Sequence, residues 1–200
     1  ANAFLAARWR AEGGAWASLS TMAFRAERGV TPELHLLGSQ EPAPRFWRIP
    51  NHWRSVTAVS GGTGWRETPL GRGDLEASVG LDMQHLEIDA FDSFAYGDSV
   101  SGETGNDRTL TLRLLGDHTL GAGTLRSSFT WAETWHEQVL PSGSSEFRQR
   151  LWSAGIETEQ PLAPGGDGWL SDPTLTLGGS LDGASTPQTG GFAAQPPMDG

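Results

Sequence analysis

The 200-residue chain has no cysteine, no lysine and one tyrosine, and each absence removes a class of function. Without thiols there is no disulfide, iron–sulfur cluster, thiolate zinc site or cysteine nucleophile. All 14 basic residues are arginine, set against 24 acids for a net charge of −10. That balance argues against a nucleic-acid partner, because such binding rests on a basic surface that neutralises phosphates. The longest apolar run, Ala3 to Ala7, is far below the roughly 20 residues of a membrane helix, so helical spans are excluded. What the chain does have is glycine (27), proline (12) and large rings, nine Trp and eight Phe. A disordered tail lacks such rings.

Apolar/polar alternation recurs between turn signals, and helical periodicity does not. Leu110, Leu112 and Leu114 alternate with Thr109, Thr111 and Arg113; Leu125, Ser127, Phe129 and Trp131 then alternate with Arg126, Ser128, Thr130 and Ala132. Gly121-Ala122-Gly123 between them predicts a hairpin turn, since glycine reaches positive φ freely. The same reading places strands at residues 3–10, 15–25, 54–66, 75–90, 146–160 and 173–182, about eight in all. The phase slips by one at His85, which predicts a β-bulge or the end of a half-buried stretch.

The connections alternate in length. Tight turns at 11–14, 67–73 and 118–123 interleave with longer loops at 26–53, 91–106, 138–145 and from 183 onward; the 161–172 connection breaks the rule. Short turns on one side, long loops on the other and a polar face opposite an apolar row predict an all-β, antiparallel transmembrane β-barrel segment. The ends read as cuts, so residues 1–200 are taken as a partial barrel from a larger chain.

Four phrases carry a resemblance: Arg28-Gly29-Val30-Thr31-Pro32-Glu33-Leu34, Pro44-Arg45-Phe46-Trp47-Arg48, Asp107 through Gly121, and Phe147-Arg148-Gln149-Arg150-Leu151-Trp152-Ser153. They are similar to the barrel region of bacterial TonB-dependent outer-membrane receptors. The resemblance implies an outer-membrane location and energy-coupled uptake of a scarce small-molecule cargo, such as a siderophore or other metal chelate. It implies contact with outer-membrane lipid, and with the inner-membrane TonB complex through a plug domain that this segment lacks, as it lacks the family's C-terminal strand. With one Tyr, the interfacial girdles would rest on Trp. The rival readings are a complete eight-stranded barrel, and a soluble all-β carbohydrate-binding or hydrolytic domain built on Trp platforms.

In the 26–53 loop, His35, Trp47, His52 and Trp53 are the candidate cargo contacts, the alternative being aromatics at the membrane interface or packing of the loop on itself. Glu87, Asp89, Asp92 and Asp98 form an acid cluster that could serve hydrolysis or bind Ca²⁺, but a solvated rim is the simpler account. The scattered His35, His52, His85, His118 and His136 give zinc no pattern, with His118 expected in a turn. Arg72-Gly73-Asp74 reads as a turn rather than an adhesion motif. Neither a cofactor, a metal nor an enzymatic reaction is expected.

Overall fold

The computed structural model describes residues 1–30, 46–69, 71–162 and 173–190. They form one antiparallel sheet and no helix: β1 (Asn2–Arg10), β2 (Trp16–Val30), β3 (Phe46–Gly62), β4 (Arg66–Thr68), β5 (Gly71–Phe91), β6 (Ser99–Leu120), β7 (Gly123–Leu140), β8 (Gly143–Pro161) and β9 (Thr174–Thr189). Each strand pairs with its sequence neighbour, in the order β1-β2-β3-β5-β6-β7-β8-β9, while the three-residue β4 pairs β5 beside this path. The sheet is open, with β1 and β9 as its edges.

Directly paired residues share a face, so the register sorts every side chain. One rung runs Ala7, Leu19, Val59, Val79, Leu112, Trp131, Trp152, Gly183. Its neighbour on the turn side runs Trp9, Ala17, Gly61, Ala77, Leu114, Phe129, Ala154, Leu181. The hairpin leucines and the aromatic pair thus lie on one face, as the alternation predicts. The opposite face carries small and polar groups on the intervening rung: Ser18, Ser60, Ser78, Arg113, Thr130, Ser153, Asp182. Neither face is covered by a second layer among the described residues: Val79 is 48% exposed, Ile156 57% and Leu181 70%.

Several expectations need correction. The long loops are shorter than predicted: residues 26–30 and 46–53 are strand, the β5–β6 connection is residues 92–98, and 138–145 is a turn at Pro141-Ser142. Alternation fades there because both faces are polar, yet the backbone ladder continues. The slip at His85 is not a bulge, since β5 pairs β6 without interruption from Gly73 to Ala90. The bulges fall between Ala26 and Arg28, Arg48 and Asn51, Ala90 and Phe91, and Arg148 and Arg150. Arg72-Gly73 opens β5 against β4, and His118 lies within β6, so neither is in a turn. Gly121, at φ +62°, supplies the predicted β6–β7 reversal. The 161–172 and post-183 loops lie largely outside the described residues, although β9 itself runs to Thr189.

The buried apolar residues among those described are Phe46 and Ile49. They sit at the loop end of β3, where Phe46 packs on Phe94 (4.5 Å between centroids) and Phe91 on Tyr96 (5.2 Å). The Arg48 guanidinium lies 4.5 Å over the Tyr96 ring. Tyr96 takes a left-handed φ of 48° in the tight 92–98 connection.

Candidate functional site

The four predicted cargo contacts do not form one cluster. His35 lies outside the described residues; Trp47, His52 and Trp53 are on β3 and not in a loop. His52 and Trp53 are adjacent in a strand and therefore point to opposite faces. Trp47 pairs Ala90 and His52 pairs Leu86, which puts both on the polar face. There His52 meets the edge of Phe24 at 4.9 Å, and its Nε2 is buried without a partner. Burial, then the fields of Arg28 and Arg54, push its pKa down, so it is a neutral imidazole.

Trp53 belongs to a rim on the apolar face. On β5 the apolar set Leu75, Ala77, Val79, Leu81, Met83 gives way to His85, Glu87 and Asp89. Trp53 stacks on His85 (6.0 Å, 17° between planes). His85 Nδ1 donates to Asn106 Oδ1 at 2.7 Å and Nε2 to Glu87 Oε1 at 2.8 Å. Because Asn106 uses its Nδ2 to donate to Glu137 at 3.1 Å, its Oδ1 is the acceptor, and His85 must carry both protons. Bonds to Asn106 and Glu87 accordingly raise the His85 pKa, while bonds from His85 and Asn51 hold Glu87 below the usual carboxylate range. The acid cluster is therefore split: Glu87 is engaged in this network, Asp89 follows on its face, and Asp92 and Asp98 are in the connection. No metal-holding group of three or more His, Asp or Glu occurs among the described residues.

Sequence reasoning missed the continuation of this rim across β6 to β8. Glu133, 4% exposed, accepts from Arg148 and from Arg150 Nε at 2.9 Å, with Arg148 also 5.6 Å over the Trp135 ring. Two rungs follow one another outward: Arg108–Trp135–Arg148, then Asn106–Glu137–Glu146. A cavity of about 430 Å³ is lined by these residues other than Arg148, together with Gln188, and reaches His136 and Phe147. The available signal was the interruption of the Phe129, Trp131 alternation by Glu133 before Trp135.

The polar face is cross-linked by charge. Arg54 forks onto Asp82 at 2.9 and 2.5 Å. Arg126 reaches Glu157 at 2.8 Å, Glu159 at 3.5 Å and Asp117 at 3.8 Å. His136 Nδ1 meets Asp107 at 2.6 Å. These contacts fix a polar wall; they assemble no nucleophile with a base among the described residues.

The apolar band does not follow the rungs. On β1 it spans Ala3 to Trp9; on β9 it spans Leu175 to Leu181, although Trp9 shares its rung with Leu181. Across the seven strand-to-strand steps from β1 to β9 the band therefore slides six positions, from Leu181 to Leu175. At about 3.3 Å per residue and 4.8 Å per strand, that is a slope of roughly 30°. Comparison with known protein families, with curated proteins and with solved structures finds no match to this chain.

Proposed function

We propose that the chain is a stretch of wall from a bacterial outer-membrane β-barrel, a receptor of the TonB-dependent type that takes up a scarce small-molecule cargo such as a siderophore or other metal chelate. The observation that carries this reading is the two-faced sheet: an exposed apolar band edged by Trp, Arg and Glu on one side, and a wall of Ser, Thr, Gly and paired charges on the other. Such a sheet suits lipid outside and water inside. The band's slope is close to the 35–45° strand tilt of these barrels. Strands of 21 and 22 residues exceed the 9–11 that cross a bilayer, leaving an overhang at the loop end. A soluble sandwich would need a second sheet over the apolar face. A complete small barrel would join β1 to β9, and both are edges. Eight strands would make about a third of the 22-stranded wall of a large plugged transporter. The chemistry is binding and passage, not bond making.

The native chain has no cysteine, so each introduced one is unique within it. A bimane label at Val79, Leu112 or Ile156 in the full-length protein, reconstituted in vesicles, should be quenched by brominated lipid. Labels at Ser78, Thr111 or Ser153 should be quenched by aqueous iodide instead. Equal quenching of both sets would overturn the barrel reading. Energy coupling is tested separately: cargo uptake should stop when the proton gradient is collapsed, and uptake indifferent to the gradient would remove the TonB-dependent part.

A further inference from the structure

A line of side-chain hydrogen bonds crosses four strands on the face of the apolar band, just beyond Met83 where the band ends. From β3, Asn51 Nδ2 donates to Glu87 Oε1 at 3.2 Å. On β5, His85 Nε2 donates to the same oxygen at 2.8 Å, and its Nδ1 donates to Asn106 Oδ1 on β6 at 2.7 Å. Asn106 Nδ2 then donates to Glu137 Oε2 on β7 at 3.1 Å. The stretch from Glu87 to Glu137 thus has a carboxylate at each end, and an ionised carboxylate accepts but never donates. Its three links close together only when both imidazole nitrogens of His85 carry protons. With one proton on the ring, one link must set two acceptors face to face: Glu87 against a bare Nε2, or Glu137 against the oxygen of a turned-over Asn106.

We propose that this line is a proton-operated clasp: one proton on His85 ties β5, β6 and β7 together at the loop end of the sheet, and its loss opens the Asn106–Glu137 link while the His85–Glu87 bond stays. The inference goes beyond the barrel reading and does not rest on it. The place of opening follows from exposure. The His85 side chain is 17% exposed and Glu87 is also held by Asn51, whereas Glu137 is exposed and water replaces its amide donor at little cost. Asn106 then turns its carboxamide over, offers Nδ2 to the bare Nδ1 of His85 and ceases to serve Glu137. Trp53, stacked on His85, keeps the ring in place in either state. The other charged groups on this face stand further off: Arg25 lies beyond Trp53 on the same rung, Arg108 beside Met83 one rung toward the band, and Asp89 beyond Glu87. They shift the pH at which the clasp opens, and the bonding pattern decides which link opens. The sign is fixed, since the closed line needs the extra proton: the clasp is shut in acid and opens as pH rises.

Histidine labelled with ¹⁵N in the full-length protein reports each ring nitrogen by NMR, the His85 signals being those lost in His85→Gln. At pH 6 both nitrogens should carry protons; above the titration the remaining proton should sit on Nε2, with Nδ1 bare. A bare Nε2, or a ring already neutral at pH 6, would overturn the inference. Glu137→Gln gives a second test, because its amide can donate to Asn106 Oδ1 and the line then closes with a neutral His85. Proton binding at His85 should weaken about tenfold in that variant. Glu146→Gln removes a charge from the same rung outside the line and should weaken it less than about twofold. Both glutamates are exposed, so neither change threatens folding. Urea unfolding of these two variants reads the same difference without any assignment of resonances: Glu137→Gln should lessen the loss of stability between pH 6 and pH 9, and Glu146→Gln should not. Equal effects of the two would mean that charge alone acts, and would overturn the clasp.

Discussion

An arginine walked along one face of β5 gives the sharpest test of where the lipid lies. Leu75, Ala77, Val79, Leu81 and Met83 share the apolar face, with Val79 at the midpoint. Four residues on either side, at about 3.3 Å each and a tilt of roughly 30°, place Leu75 and Met83 some 11 Å above and below Val79. That is nearly half of the roughly 25 Å apolar height of an outer-membrane barrel. Val79→Arg should therefore cost about 2–4 kcal/mol, a factor of roughly 30 to 900 in the folding equilibrium, and Leu75→Arg or Met83→Arg about 0–1 kcal/mol. Thr111→Arg lies at nearly the same depth but faces the other way, between the small Gly80 and Ala132, and should stay within about 0.5 kcal/mol. Urea unfolding of the full-length protein in phosphatidylcholine vesicles, followed by tryptophan emission, measures each difference. A flat profile along β5, or a Thr111→Arg cost equal to that of Val79→Arg, would refute the placement.

Three further outcomes follow from local geometry. The raised His85 pKa means that its contribution is complete below the ordinary 6.5 and disappears as pH climbs through the folded value; the lowered Glu87 pKa means that its contribution is present above 4.5 and is lost as pH falls through the folded value. The deficit of His85→Gln against the native protein should thus be largest near pH 6 and shrink by pH 9, and a deficit constant with pH would show that the network is uncharged. Gly71 has φ +133° and an added Cβ would run into the Thr119 carbonyl oxygen, so Gly71→Ala should cost more than about 1 kcal/mol in urea unfolding, whereas Gly97→Ala, with open space around it, should cost less than about 0.5 kcal/mol. Shortening the 31–45 stretch between β2 and β3 in the full-length protein should weaken cargo binding in a titration while leaving unfolding unchanged, because segments joining the elements of a rigid scaffold carry recognition; unchanged affinity would move recognition to other connections or to the plug.

The two-faced part of the sheet was legible because period-2 alternation is strong only where the two sides of a strand differ in polarity. Leu110, Leu112 and Leu114 against Thr109, Thr111 and Arg113 could be nothing but a strand, and their rung partners Glu133, Trp131 and Phe129 follow from the hairpin turn alone. Residues 99–106 and 138–145 were read as loops because both sides there are polar, so pattern vanishes while hydrogen bonding persists. The loop position expected for Trp47, His52 and Trp53 missed for the same reason: 46–53 is strand, which puts neighbouring His52 and Trp53 on opposite faces. The charged rim was hidden differently: Arg108, Glu133 and Arg150 come from three strands, and only the register brings them to one level.

The position of the small core bears on the same question. Phe46 and Ile49, the buried apolar residues of the described chain, lie beyond the apolar band, where β5 reverses its pattern and Leu86, Ile88 and Ala90 take the face held lower down by Glu76, Ser78 and Asp82. Hydrophobic burial is driven by water. A sheet wholly in water would bury its largest apolar surface first, around Val79, Leu112 and Ile156, and could leave its ends bare. Among the described residues the reverse holds: the broad band has no cover, and the residues at the loop end gather Phe46, Phe91, Phe94 and Tyr96 into a cluster. Under the barrel proposal, water at the loop end and lipid along the band would account for both choices with one boundary near Met83 on β5, beside Trp53 and His85.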